Sequence, residues 1–223
     1  MPLELSFMEE DDIPAFAVID SAAMANWGVA KAMDMANTTG EPRQQMVERW
    51  TRRGFQNDSQ QVWLKVTDTE SSDLVAAALW RFRPEGVPEN PPPRLGADSA
   101  RAGKGDGQTH PVPNVMSAMG RIGDAFNKEF IGEQPHAHLS ILVTDPKYQR
   151  RGAASMLVRW GCEEADKRGM VANLMATQAG LSLYLKHGFR VVSETPLDLR
   201  PFGVDETELR RGMVRPAKVK CES

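Results

Sequence analysis

The segment from Val143 to Ser155 carries the residue types that a diphosphate requires. Val143 and Thr144 close an apolar run, and Asp145 and Pro146 interrupt it. Lys147, Gln149, Arg150 and Arg151 then lead to Gly152, which is followed by the small residues Ala153, Ala154 and Ser155. A strand entering a helix through such a turn leaves the first backbone N–H groups of the helix without intrahelical acceptors, and the helix dipole adds partial positive charge there. A glycine and two alanines let a ligand approach that backbone closely, and the basic side chains add charge at the entrance. The same residues would also serve an ordinary strand–helix connection with two solvated arginines. A second titratable side chain is Tyr184, a phenol with a reference pKa of about 10. A third is His138, with His136 two residues earlier on the same strand face. A neutral imidazole can accept a proton near neutral pH. The bland alternative is two polar residues at the rim of a sheet. No cysteine or carboxylate at a telling spacing completes a metal site with them. The glycine-rich stretch Gly103–Gly107 follows no strand and lacks phosphate-loop spacing, so it reads as a flexible loop.

The elements that would position these groups follow from periodicity. Leu3–Phe7 alternates as a strand, and Phe16, Val18, Ile19, Ala22 and Ala23 mark a helix face behind Pro14. A second helix covers Arg43–Arg53, with Met46, Val47 and Trp50 inward. Gln61–Val66 and Leu74–Phe82 form antiparallel strands around a polar turn. Residues 84–114 are dense in Pro, Gly and polar types and read as an exposed loop. Val115, Met119, Ile122, Phe126 and Phe130 then share a helical stripe, read as a helix packed on the core or as a lid over a pocket. The remainder alternates: strand His138–Thr144, helix Ala153–Arg168, strand Met170–Thr177, short helix Gly180–His187, strand Phe189–Ser193 and a last strand over residues 206–215. The pattern predicts a mixed α/β fold with helices against one central sheet.

With 223 residues and a net charge of −3, the expectation is one domain carrying a loop-plus-helix insertion at about 84–134. A mildly acidic chain is a poor binder of nucleic acid, whose affinity comes from neutralised phosphates. Two distant cysteines, Cys162 and Cys221, support no disulfide framework. No apolar run reaches the roughly 20 residues that span a bilayer, and the first residues do not form a secretory signal. A cytoplasmic protein, monomer or homodimer, is expected.

Gln149, Gly152 and Ala154 resemble the Gln/Arg-x-x-Gly-x-Gly/Ala motif of the GNAT N-acetyltransferase superfamily, and Leu183, Tyr184, Gly188 and Phe189 resemble its Leu-Tyr-x-x-x-Gly-Phe segment. The match runs over about 136–193 and extends to Leu3–Phe82. It departs at Ala154, where glycine is commoner, at Thr177, often asparagine, and at Gly180, often alanine. The resemblance implies a mostly antiparallel sheet of six to seven strands that splays between the fourth and fifth. It also implies acetyl-CoA or a related acyl-CoA as cofactor. Backbone donors around Arg150, Gly152, Ala154 and Ser155 would hold its pyrophosphate, with Gln149, Arg151 and Ala153 beside them. The edge Leu142, Val143, Thr144 would pair with the pantetheine arm, the Leu142 N–H would be the oxyanion donor, and Tyr184 would protonate the thiolate. His138 falls where some members place a base. The acceptor is read as a small-molecule primary amine; a protein N-terminus or lysine, or binding of CoA without catalysis, are the alternatives. Trp27, Trp50, Trp80 and Phe126 would line an amine site or fill the core.

Overall fold

The computed structural model describes residues 2–58, 60–86 and 114–218. The reading of 84–114 as a loop therefore lies mostly outside the described residues, as do Gly103–Gly107 and Cys221.

Seven strands form one sheet in the order β1-β2-β3-β4-β5-β7-β6. They are β1 (Leu3–Phe7), β2 (Gln61–Asp68), β3 (Leu74–Arg83), β4 (His136–Thr144), β5 (Val171–Ala176), β6 (Arg190–Asp198) and β7 (Thr207–Arg215). All neighbours are antiparallel except β4 and β5. The helices are α1 (Ile13–Met24), α2 (Gly28–Met35), α3 (Arg43–Asn57), α4 (Val115–Phe126), α5 (Ala153–Lys167) and α6 (Leu181–Lys186). No single described helix is long and apolar enough to cross a membrane.

Two apolar layers sandwich the sheet. On one face α5 buries Leu157, Val158 and Ala165 against Ala76, Ala78, Trp80, Ala137 and Leu139. Trp80 is wholly buried, and a Cβ at Gly161 would collide with its ring, so a glycine in mid-helix is what lets α5 seat on it. On the other face α1 packs Ile13, Phe16 and Ile19 with Val47 of α3 against Trp63, Leu79 and Val143.

The inward face of α1 differs from expectation. Val18 is half exposed and Ala22 is exposed. At 100° per residue these two share a stripe one turn apart, opposite the stripe of Phe16, Asp20 and Ala23. Helix α2, between the two expected helices, was not foreseen: its eight residues bury Val29 and Ala32 against Val115 of α4 and Leu197 and Leu199. Strand β6 runs five residues beyond the expected Ser193, because β7 pairs with it as far as Asp198.

Candidate acyl-transfer site

Strand β4 pairs with β3 along its length but with β5 only from His136 to Leu139. Beyond Leu139 the two parallel strands separate, and Ser140–Thr144 has no partner on the β5 side. The cause is local. The β3–β4 register pairs Leu79 with Ile141 and Trp80 with Leu139, leaving Ser140 as an extra residue. A bulge of this kind bends and twists the strand. It also reverses the side-chain alternation, so Leu139 and Leu142 face the α5 layer while Ile141 and Val143 face α1. Arg81 reaches across from β3 and donates a hydrogen bond to the Ser140 hydroxyl. The splay leaves Leu142, Val143 and Thr144 along a cleft, with Leu142 and Thr144 partly exposed and Val143 buried.

The cleft continues to the start of α5. Asp145 accepts a hydrogen bond from the Lys147 N–H at 2.9 Å and fixes a single 3-10 turn after β4. Arg150 then adopts φ 66°, rare for a residue with a side chain, and Gly152 adopts φ 97°. No side chain caps the first turn of α5, so its N–H groups at Ala153, Ala154 and Ser155 take no side-chain acceptor. A Cβ placed on Gly152 would meet nothing within 4 Å. This uncapped, open helix start, reached by a strained turn, fits a diphosphate. Gln149, Arg150, Gly152, Ala153, Ala154 and Ser155 all line the cleft. Arg151 lies apart from that lining, its guanidinium over the Tyr148 ring at 5.0 Å. The Ser155 hydroxyl is held by the ring of His187, Oγ to Nε2 2.8 Å.

Tyr184 is buried at 9% exposure on α6, edge-on to Phe189, and it lines the same cleft. Burial pushes its pKa up to about 12, opposed by the charge of Arg210. The phenol is thus protonated at every physiological pH. Arg210, on β7, is itself 6% exposed and sits over the Trp27 ring at 5.5 Å. Its Nη1 is buried and has no acceptor among the described residues. Glu208, two residues away, accepts hydrogen bonds from the Trp27 indole at 2.8 Å and the Val29 N–H at 3.3 Å.

His138 stands opposite Asn173 in the β4–β5 register, with Nδ1 2.6 Å from Oδ1. Burial pulls its pKa down to about 4. The imidazole is neutral near pH 7 but weakly basic. If Nδ1 donates to Oδ1, the lone pair is on Nε2; Asn173 Nδ2 is buried without a partner. His136 is almost fully buried, its Nδ1 3.0 Å from the Gln134 carbonyl, and burial lowers its pKa as well.

The aromatic residues divide. Trp80 fills the core, donating to the Leu157 carbonyl at 3.3 Å. Trp27 and Trp50 line the cleft, and Phe126 is buried at its edge, packed where β7 has Gly212. Among the polar residues absent from the sequence reading that also line it are Arg210, and Asp20 on α1. Asp20 had a signal, a single acid on the apolar stripe of Phe16 and Ala23. Arg210 had none, because β7 carries Arg210, Arg211 and Arg215 and nothing local sets one of them apart.

Residues 110–189 match the model of the Acetyltransferase (GNAT) family. The matched segment, about a third of the chain, carries the splayed β4–β5 pair, the open turn before α5 and Tyr184, and the chain has the GNAT fold around it. Solved structures agree on the fold. The chain is similar to a histone acetyltransferase HPA2 and related acetyltransferase from Corynebacterium glutamicum, at 18% identity and TM-score 0.62, covering 100% of each chain. It is similar to a mosquito arylalkylamine N-acetyltransferase-like protein at 13% identity and TM-score 0.64, covering 96% of this chain and 100% of that one. It is also similar to the C-terminal condensation domain of Ebony in complex with beta-alanyl-dopamine, at 10% identity and TM-score 0.67, covering 97% and 100%. None of the curated sequences compared with it matches.

Proposed function

We propose that the protein transfers an acyl group, acetyl by preference, from acyl-CoA to the primary amine of a small molecule, with both substrates bound together. The observation that carries the reading is the convergence on one cleft of the unpaired β4 edge, the uncapped start of α5 and the buried Tyr184. Acyl-CoA supplies the thioester that the amine attacks. The chain's own groups do the rest. The first-turn N–H groups of α5 hold the diphosphate, and the free edge Leu142–Thr144 pairs with the amide-bearing arm. The Leu142 N–H is the proposed donor to the oxyanion that forms at the attacked carbonyl; such a donor acts because it is already aimed where charge develops. Tyr184 gives its proton to the departing sulfur. With the phenol at about 12 and a thiol near 8.5, the transfer is uphill unless the C–S bond is already breaking, so position matters more than acidity. His138, neutral but weakly basic, fits better as a hydrogen-bonding group that orders water than as the sole base.

A small acceptor is favoured because the α1–α3–α4 side of the cleft sets Phe16, Met24, Trp27, Trp50, Met116 and Met119 among charged residues such as Asp20 and Arg53, apolar surface that desolvates the body of a compact ligand. Two of the fold neighbours bear names of related chemistry, an arylalkylamine N-acetyltransferase-like protein and a domain solved with beta-alanyl-dopamine; their likeness here is one of fold.

The test is calorimetric titration with acetyl-CoA, beside Gly152→Ala and Gly152→Asp variants. Micromolar binding, about −8 kcal/mol, is expected for the wild type. It should weaken in the alanine variant, which strains φ 97°, and vanish in the aspartate variant. An amine panel with free-thiol detection then reads transfer. No binding at millimolar acetyl-CoA would refute the reading.

A further inference from the structure

Where α1 lines the cleft, it presents one carboxylate among apolar side chains. Asp20 falls on the α1 stripe of Phe16, Ala23 and Met24, and all four residues line the cleft. Phe16 is buried against the sheet, and Ala23 and Met24 pack on the same cluster, which includes Val143 and Ile141 of the splayed β4. Asp20 is therefore carried on the helix that faces the β4 segment from the side opposite α5.

Asp20 accepts no hydrogen bond from any described residue. The nearest compensating charge is Arg43 on α3, and Arg43 is engaged elsewhere, with Asp34 at 3.0 Å and the Ala30 carbonyl at 2.5 Å. An enclosed carboxylate is costly to ionise without a partner. In keeping with this, burial raises the Asp20 carboxyl to about 6, with Arg43 only partly opposing. An acid without a hydrogen-bond partner, set in the apolar stripe of α1, calls for a cation. Among the described residues no three metal-ligating side chains come together; a single carboxylate beside apolar side chains suits an organic ammonium.

We propose that Asp20 anchors the ammonium group of the acceptor, selecting compact amines with one positive charge and an apolar or aromatic body. This rests on the acyl-transfer reading above and names the acceptor class for the same site. The role is capture rather than proton removal: a carboxyl titrating near 6 is about four pH units too acidic to strip an amine of pKa about 10.4. The proton leaves after the amine is held, through ordered water.

The experiment uses the full chain saturated with coenzyme A, and 2-phenylethylamine with its neutral counterpart 2-phenylethanol as probes. The wild type should bind the amine at least tenfold more tightly than the alcohol. Asp20→Asn should lose that preference while keeping its affinity for acetyl-CoA, and Asp20→Glu should restore part of it. Acetyl-CoA affinity and the melting curve report that each variant is folded. Equal amine binding in wild type and Asp20→Asn, or no preference for the amine in wild type, overturns the proposal. Failure of wild type to bind acetyl-CoA overturns the acyl-transfer reading instead, so the two failures read out in different titrations.

Discussion

The Tyr184 ring lies directly over Gly180, the residue one turn before it: a Cβ at position 180 would stand 2.6 Å from Cε2 and 3.2 Å from the hydroxyl oxygen. The glycine that departs from the usual alanine of this motif thus makes room for the phenol in its observed place. Gly180→Ala should push the ring aside, lowering kcat by about tenfold to a hundredfold, the scale of a displaced proton donor. Acyl-CoA affinity should change little. Steady-state kinetics beside a binding titration decide it; an unchanged kcat would mean that the ring position is immaterial to turnover.

Tyr184→Phe tests the donor itself. The substitution keeps the edge contact with Phe189 and removes only the hydroxyl. A kcat loss of about a hundredfold with normal acyl-CoA binding is expected. Retained activity would remove Tyr184 from the mechanism and leave the fold assignment intact.

Asp20 has its folded pKa raised from 3.8 to about 6. Between those values the native state binds more protons than the unfolded chain, so stability falls as pH rises, and the full cost is present at pH 7. Asp20→Asn should therefore stabilise the protein by about 1–3 kcal/mol at neutral pH, at about 1.36 kcal/mol per pH unit, while impairing amine capture. Denaturation midpoints of the two proteins give the answer. A destabilised variant would show that Asp20 serves the fold rather than the ligand.

His138 shows the opposite proton linkage. Its folded pKa of about 4 lies below the reference 6.5, so the unfolded state binds the proton more readily. The stability from keeping it neutral is present above about 6.5 and is lost as pH falls toward 4. Relative to His138→Gln, the wild type should lose on the order of 1–2 kcal/mol between pH 7 and about 5. Denaturant melts at the two pH values measure the difference. Parallel losses in both proteins would argue against burial as the cause.

Arg210 supplies the charge that opposes the upward shift of Tyr184. Arg210→Met removes it, along with the stacking on Trp27, and should make the phenol a still weaker acid. A fall in kcat of about tenfold, with acyl-CoA affinity within about threefold, is expected. Equal kcat in variant and wild type would detach Arg210 from proton transfer.

The sequence by itself determined nearly every element and the open turn before α5, because each is written locally. Periodicity sets the strands and helices, Gly152 sets the left-handed turn, and the small residues after it leave the helix start open. It also marked Tyr184, since that residue sits in a short contiguous motif. Tertiary structure decided what depends on contacts distant in sequence. The β3–β4 register creates the Ser140 bulge and so the splay. Asn173, 35 residues from His138, supplies the hydrogen bond that orients the imidazole. Burial, which no local pattern reports, raised Tyr184 and Asp20 and lowered His138. Helix α2 escaped notice because eight residues around one buried patch give too short a periodic signal, and Asp20 because one acid on an apolar stripe acquires meaning only once the opposite wall is in place.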